Sequence, residues 1–167
     1  MSRSYLLILG ERDAIAWVLR EQRMAFPATP RAEVAALNAG ERLFLYATRS
    51  AWHNPTRDRG RIFGCATTQS AVHELDQPVE IAGRKFVSGC TLQIEGLVPY
   101  PGGIELQPMV EQLEAFPKRN AWSVYLRRAL VVLPAADARL IDRRLRPLLQ
   151  GHEDATPTYP GAVAHPA

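Results

Sequence analysis

The chain has 167 residues, with 20 Lys and Arg against 17 Asp and Glu, and 47% of its residues are apolar. This composition fits one globular domain that folds without a disulfide framework, and it excludes collagen-like, fibrous and wholly disordered chains. The apolar runs are far shorter than a membrane span, and the N-terminal one is too short for a secretion signal. We therefore expect a cytoplasmic protein that does not enter a membrane.

Two apolar runs separated by a helical pattern occupy the first third of the chain. Tyr5–Leu9 ends at Gly10 and is typical of a short buried strand. Asp13 can cap a helix that ends before Pro27. After a connector at residues 27–40 with one helical turn, the alternating sequence of Leu43–Thr48 predicts a strand that leads directly into a basic loop.

The remaining elements follow from similar patterns. In chain order we predict a strand at Arg61–Val72, a turn at Pro78–Gly83, a strand at Lys85–Gly96, a helix from Pro108, a strand at Ala129–Leu133 and a helix opened by Pro134. Strands and helices do not alternate regularly, so a doubly wound parallel sheet is disfavoured. We predict an α+β domain with a curled, mostly antiparallel sheet and flanking helices.

The domain is expected to span residues 1–150. Residues 151–167 contain three prolines in their last part and show no hydrophobic periodicity, which predicts a disordered tail. Cys65 and Cys90 lie in strand-like apolar sequence without metal-ligand spacing, so both are expected to be buried, reduced thiols. Neither a Walker A nor a GxGxxG motif is present, and we predict no metal and no cofactor.

The basic loop between two predicted strands is the densest group of functional side chains. It contains one aromatic ring, an imidazole, an amide and four guanidinium groups, which belong to Trp52, His53, Asn54, Arg49, Arg57, Arg59 and Arg61. These groups can stack on a flat ring, hydrogen-bond its edge and neutralise a phosphate. The alternative is a structural loop in which Trp52 packs on the sheet and the arginines form surface ion pairs.

A second aromatic and basic segment, Lys118–Arg128, precedes the predicted closing strand. If the sheet closes, this segment can lie beside the basic loop, so that Trp122 forms a second wall of one pocket. The spacing of Trp122, Tyr125 and Leu126 also fits a helix with these side chains on one buried side, which we favour for at least one of the two rings. Tyr46 is a further candidate wall, and core packing explains it equally well.

Catalytic interpretations are weaker. Cys65 and His73 would be separated by roughly 26 Å along an extended strand, too far for a nucleophile and its base. His53 lies close to Asp58 in sequence, but no nucleophile motif accompanies the pair. We therefore favour a protein without enzymatic activity.

The order of these segments resembles the small EVE-domain proteins of the PUA-like superfamily. The resemblance covers roughly residues 4–149 and rests on YLLILG, GERLFLYATR, SAWHNPTRDRG, RIFGCATTQS, FVSGCTLQIEGL and RALVVLP in that order. Many members of this family carry a Trp-containing, Asn- and Arg-rich segment after the first strand. Residues 25–40 of this chain do not match it.

The resemblance implies a curled pseudobarrel and recognition of RNA or DNA, especially of modified bases. It implies that Tyr46, Thr48, Arg49, Trp52, Asn54 and Arg57 lie near a pocket mouth that Trp122 faces. Our leading hypothesis is a binding module that accepts a nucleobase, normal or modified, from a single-stranded or flexible nucleic acid, because extruding a base costs least there. A small hydrolase related to ASCH domains, using the same pocket, is the alternative that the resemblance also implies.

Overall fold

The computed structural model describes residues 3–26, 32–117 and 119–162. The strands are β1 (Ser4–Leu9), β2 (Arg23–Phe26), β3 (Arg42–Ala47), β4 (Arg61–Thr68), β5 (His73–Ile81), β6 (Arg84–Leu97), β7 (Ile104–Glu105) and β8 (Leu130–Leu133). The α-helices are α1 (Arg12–Glu21), α2 (Ala32–Ala35), α3 (Ala135–Leu145) and α4 (His152–Ala155). Short 3-10 helices occupy Gln107–Gln112, Arg119–Arg127, Arg146–Leu148 and Thr156–Thr158.

The strands form one curled sheet in the order β2-β6-β4-β3-β1-β8, with β5 beside β6 and β7 beside β4. Only β1 and β3 pair in parallel among the described strands, and every other pair is antiparallel. Irregularities at Leu45/Tyr46 and Cys65/Ala66 interrupt the ladders of β4, and such bulges bend a sheet. The predicted α+β fold with a mostly antiparallel, curled sheet is confirmed.

The parallel pair fixes the geometry of one end of the sheet. Because β1 and β3 run in the same direction, their carboxyl ends, at Leu9 and Ala47, lie side by side. The backbone N–H of Thr48 continues the ladder and donates to the carbonyl of Leu9 at 3.0 Å. The segments that follow both strands are therefore held together at this edge.

Alternating side chains divide the core between the two faces of the sheet. Leu7 and Leu45 point to a cluster that α1 covers with its buried face, including Leu19. Leu6 and Phe44 point to a second cluster, which the apolar face of α3 and the 3-10 helix at Gln107–Gln112 cover. The buried side chains of β1 and β3 therefore alternate between two layers of helices.

Three of the described strands were not predicted, namely β2, β5 and the two-residue β7. The helix α1 ends at Glu21, where Gln22 adopts a left-handed conformation (φ 51°), and β2 occupies the four residues expected to continue the helix. The strand β5 begins at His73 and covers much of the expected turn at Pro78–Gly83. Its side chains are mostly polar and exposed, so no alternation marked it in the sequence.

The C-terminal segment differs from the predicted disordered tail. Residues 151–162 form α4 and a 3-10 helix, and Tyr159 is only 3% exposed within the core cluster that α1 covers. The hydroxyl of Tyr159 donates to the carbonyl of Val98, and a ring nitrogen of His152 lies 2.8 Å from the carbonyl of Leu19. Burial of one tyrosine thus anchors a segment that lacks periodicity. The final predicted tail residues, 163–167, lie outside the described residues, as do residues 27–31 of the predicted connector.

Both cysteines are free and buried, as predicted. Burial raises the pKa of each thiol to about 12, and the nearby Glu95 adds to the effect at Cys65. No helix among the described residues is long and apolar enough to cross a membrane.

Candidate functional site

A cavity of about 550 Å³ opens where β1 and β3 end. The start of α1 and the strand β2 form one side of it, the β5–β6 hairpin forms another, and residues 126–129 close the third. Its volume lies within the roughly 300–1,000 Å³ typical of ligand sites. The parallel pairing of two strands therefore creates a recess that neither strand would form alone.

The residues that directly follow β1 and β3 supply polar groups to this cavity. Gly10 and Glu11 follow β1, and Thr48 follows β3. A side chain at Gly10 would point at the Thr48 side chain, with its Cβ 3.7 Å from the hydroxyl oxygen. The carboxylate of Glu11 lies 3.3 Å from Nε2 of His53, which joins the start of α1 to the basic loop. A hydroxyl and an oriented carboxylate thus line the recess.

Aromatic rings provide the apolar walls. Trp17 of α1 and Phe86 of β6 both line the cavity and are half-buried, while Phe26 is fully buried at its base. The guanidinium of Arg23 lies 5.3 Å from the centre of the Trp17 ring, and that of Arg84 lies 5.6 Å from the centre of Phe86. These geometries are those of cation–π contacts, which orient both rings.

The second basic segment reaches the cavity through its last residues. Leu126 and Arg127 line the wall, and the carbonyl of Ala129 accepts from the N–H of Ile8 at 2.9 Å. Trp122 does not line the cavity and instead packs edge-on against Phe116, with ring centres 6.3 Å apart. The first residue of the predicted segment, Lys118, lies outside the described residues.

Of the predicted site residues, Thr48 lines the cavity and His53 reaches it through Glu11. Arg57 instead binds Asp58 with two hydrogen bonds of 2.7 and 2.9 Å and donates to the hydroxyl of Tyr100 at 2.9 Å. Nε of Arg49 donates to the carbonyl of Pro55 at 2.6 Å. These two exposed arginines therefore stabilise the conformation of the loop through contacts with the protein itself.

The other loop residues are similarly engaged. Arg59 donates to the carbonyl of Asp58, and Arg61 donates to the carbonyl of Pro101, each at 3.1 Å. The side-chain oxygen of Asn54 accepts from the backbone N–H of Arg57 at 3.3 Å, which closes a turn. These hydrogen bonds agree with the alternative of a structural loop, in which the arginines contact the protein itself. Each arginine still has further N–H groups for a ligand.

Trp52 and Tyr46 lie in two different parts of the core. Trp52 is half-buried in an aromatic cluster with Phe63, Tyr100 and Tyr159, with ring centres 5.1–6.5 Å from its own. Its indole N–H is buried without a hydrogen-bond partner among the described residues. Tyr46 is 2% exposed beneath Gly60, and burial raises the pKa of its hydroxyl to about 12. Neither ring lines the cavity.

Sequence reasoning missed Glu11, Trp17 and Phe86. The usable signal was Gly10-Glu11 directly after a buried strand, because residues that follow parallel strands meet at one edge of a sheet. That β1 and β3 are parallel neighbours does not show in the sequence. Among the described residues no group of His, Cys, Asp and Glu could hold a metal, and Thr48 is the one hydroxyl side chain of the cavity.

The sequence matches no protein-family model and no curated protein. Solved structures do match. A hypothetical protein from Leishmania major has a TM-score of 0.57 at 10% identity, covering 88% of this chain and 96% of its own. Rpa0253 from Rhodopseudomonas palustris has a TM-score of 0.52 at 16% identity, covering 90% of this chain and 97% of its own.

Human THYN1, solved in complex with DNA that contains 5-methylcytosine, has a TM-score of 0.54 at 11% identity and covers 86% of this chain and 98% of its own. These likenesses show that the chain shares the fold of the three solved structures. The curled, mostly antiparallel fold that the sequence resemblance implies is therefore confirmed.

Proposed function

We propose that this protein binds a nucleic acid and accepts one nucleobase in the cavity at the ends of β1 and β3. The observation that carries the proposal is the cavity itself, which combines flat aromatic walls with a carboxylate and a hydroxyl. The complex of human THYN1 with 5-methylcytosine DNA supports it, because a protein of the same fold binds a modified base-containing nucleic acid.

Stacking supplies the affinity for the base. Trp17 and Phe86 present the rings, and stacking of a base on an aromatic side chain contributes about 1–3 kcal/mol. Because every base has a flat face, these rings accept bases in general and do not select among them. The apolar walls also receive a methyl group, so a methylated base gains contacts there.

Glu11 and Thr48 select the base edge. A carboxylate accepts hydrogen bonds and donates none, so Glu11 favours a base with an exocyclic amine, such as cytosine or adenine. His53 holds this carboxylate in position from the loop side. Uracil or thymine would place a carbonyl oxygen against the carboxylate, which is repulsive.

The arginines at the rim then hold the flanking phosphates. Arg84 and Arg127 line the cavity, and Arg49 and Arg59 keep N–H groups that their backbone contacts do not use. The stacking role expected for Trp52 and the edge-reading role expected for Asn54 are a second version of the same proposal. A single-stranded or flexible partner fits both versions, because its bases are already accessible.

A titration of short single-stranded oligonucleotides tests the proposal. Fluorescence anisotropy is followed with probes that carry cytosine, 5-methylcytosine or thymine at one central position. We expect the wild-type protein to prefer the amine-bearing bases, and Trp17→Ala to lower that affinity about 5- to 150-fold, the equivalent of one stacked base. Glu11→Gln should shrink the preference over thymine, because an amide also donates.

Matched variants separate the two versions. Trp122→Ala removes a tryptophan of the second basic segment that does not touch the cavity, and it should leave base preference unchanged. Circular dichroism confirms that each variant is folded. Equal affinity for all three probes, or unchanged affinity of folded Trp17→Ala, would refute the cavity as the base site. Loss of preference in folded Asn54→Ala would favour the loop version, in which Asn54 reads the base edge.

A further inference from the structure

A second basic region lies at the other end of the same strands, about 17 Å from the cavity by the length of β1. The starts of β1 and β3 contribute Arg3 and Arg42, and the outer face of α3 and the turn after it contribute Arg139, Arg143 and Arg146. We call this set the arginine groove. None of these residues was singled out in the sequence as a site.

One carboxylate organises the centre of the arginine groove. Asp142 lies 3.3 Å from a guanidinium nitrogen of Arg42 and 2.8 Å from one of Arg146. Arg146 binds both oxygens of this carboxylate, so its planar group is fixed. Glu95 lies near the same region and is held by hydrogen bonds from Thr67 and the thiol of Cys65. Of the five guanidinium groups in the groove, those of Arg42 and Arg146 thus share the single Asp142 carboxylate, which leaves an excess of positive charge.

Two arginines of the groove have no ion-pair or hydrogen-bond partner in the described part of the chain. Arg139 and Arg143 are exposed and stand four residues apart on α3, so their charges face each other on one side of the helix. A like-charged pair at this spacing destabilises a helix. An anion bound between the two side chains would remove this repulsion.

The shape of the region is open and elongated. Two recesses of about 500 and 450 Å³ adjoin each other and share Arg139 and Asp142 as walls. One continues to Arg143 and Pro147, and the other to Arg3 and Ser4. A string of anions fits such a groove better than a single compact ligand does.

We propose that the arginine groove binds the phosphodiester backbone of a nucleic acid, independently of base identity. Guanidinium forks match phosphate oxygens with paired hydrogen bonds, and backbone contacts of this kind carry affinity without sequence information. Arg139 and Arg143 provide the open forks, while Asp142 keeps Arg42 and Arg146 in place at the edge of the groove. This interface goes beyond the base cavity, because it lies at the opposite end of the sheet and reads no base.

The test uses the salt dependence of binding to fluorescein-labelled oligothymidylate, which lacks the base amine proposed for the cavity. The double variant Arg139→Ala/Arg143→Ala removes both open forks. Each phosphate contact to a single strand contributes about 0.7 to the slope of log K against log salt, so the slope should fall by about 1.4. At about 0.1 M salt this corresponds to a roughly 25-fold loss of affinity.

Arg144→Ala is the matched control, because Arg144 lies on the same helix and donates to Gln112 on another side. It should leave the slope unchanged. An unchanged slope in the folded double variant, or an equal change in Arg144→Ala, would overturn the proposal. So would competition by polyglutamate as effective as that by unlabelled oligothymidylate, which would assign the groove to acidic proteins.

The two proposals fail separately. Preference among cytosine, 5-methylcytosine and thymine probes should be the same in wild type and in the double variant, since the cavity is untouched. If wild type and the double variant have the same salt slope while base preference is intact, the arginine groove alone is rejected. If the two salt slopes differ as expected but the protein shows no base preference, the base cavity alone is rejected.

Discussion

The basic loop and the arginine groove are both rich in arginine, but they differ in what those arginines contact. In the loop, Arg57 and Arg61 bind carboxylates and carbonyl groups of the protein itself. In the groove, Arg139 and Arg143 have no hydrogen-bond or ion-pair partner in the described part of the chain. Net charge along a sequence therefore locates basic segments, but the available charge depends on which carboxylates and carbonyls the fold brings to them.

The arginines of the loop donate to its backbone carbonyls because the loop has few regular backbone hydrogen bonds of its own. It connects β3 to β4 with thirteen residues, and its backbone carbonyls at Pro55 and Asp58 would otherwise be left to water. Guanidinium groups satisfy these carbonyls and fix the turn in which Asn54 takes part. In α3 the helix satisfies its own backbone, so Arg139 and Arg143 are not needed for backbone carbonyls and remain free for a partner.

Replacing Trp52 should have the largest effect on the loop. Trp52→Ala removes a half-buried ring that packs on Phe63, Tyr100 and Tyr159, and we expect a loss of about 2–4 kcal/mol in the free energy of unfolding. Urea unfolding followed by circular dichroism measures it. Base binding by the remaining folded protein should survive, because Trp52 does not line the cavity.

Trp52→Phe keeps an aromatic ring and removes the unpartnered indole N–H, so it should cost much less than Trp52→Ala. A Trp52→Ala variant as stable as wild type but unable to bind any probe would contradict this assignment. That result would return the stacking role to the loop and make the loop, not the cavity, the base site.

The packing of the loop over Tyr46 gives a second prediction. A Cβ at Gly60 would lie 1.7 Å from the Tyr46 hydroxyl oxygen, so Gly60→Ala forces the loop or the ring to move. We expect a loss of about 1–3 kcal/mol, typical of overpacking, in urea unfolding. Gly151→Ala is the control, because a Cβ there meets only a carboxylate oxygen at 3.5 Å. Equal stability of the two variants would show that the loop moves away from Tyr46 with no loss in the free energy of unfolding.

Much of the fold was predictable, because buried strands and one-sided helices leave strong patterns. Tyr5–Leu9 and Leu43–Thr48 were located almost to the residue, and a helix was predicted where α1 lies. The strand β5 was missed because its side chains face water. The cavity was missed because it depends on the parallel pairing of β1 with β3 and on the β5–β6 hairpin, which are relations between distant segments. The loop was singled out for its composition, and composition does not reveal internal hydrogen bonds.

The raised pKa values of two buried side chains, one near each region, give a third prediction. Tyr46 lies under the loop and Cys65 lies beside Arg42 and Asp142 of the groove, and each has a pKa raised to about 12, from 10.0 and 9.0. The folded state therefore keeps protons that the unfolded chain releases, so stability is full below pH 9 and falls between pH 9 and about 12. Urea midpoints measured across this range should decline steadily.

The double variant Cys65→Ala/Cys90→Ala separates the thiols from the phenol. In this variant the decline should begin near pH 10 and be shallower, since Tyr46 and other buried phenols would then carry it. Reaction of the native thiols with iodoacetamide should be slow at neutral pH for the same reason. A midpoint that is constant up to pH 12 would mean that both states release these protons together.

The smallest expected change in stability comes from replacing single arginines, and it compares the two regions most directly. Arg143→Ala removes one member of a like-charged pair on α3, so the free energy of unfolding should stay the same or rise by about 0.2–0.5 kcal/mol. Arg57→Ala deletes the partner of the buried carboxylate of Asp58 and of the Tyr100 hydroxyl, so it should lower the melting temperature. Raising the salt concentration should reduce the Arg143→Ala gain, because salt screens the exposed repulsion. A destabilised Arg143→Ala beside an unaffected Arg57→Ala would reverse the comparison, with the groove held by its own charges and the loop free to bind an anion.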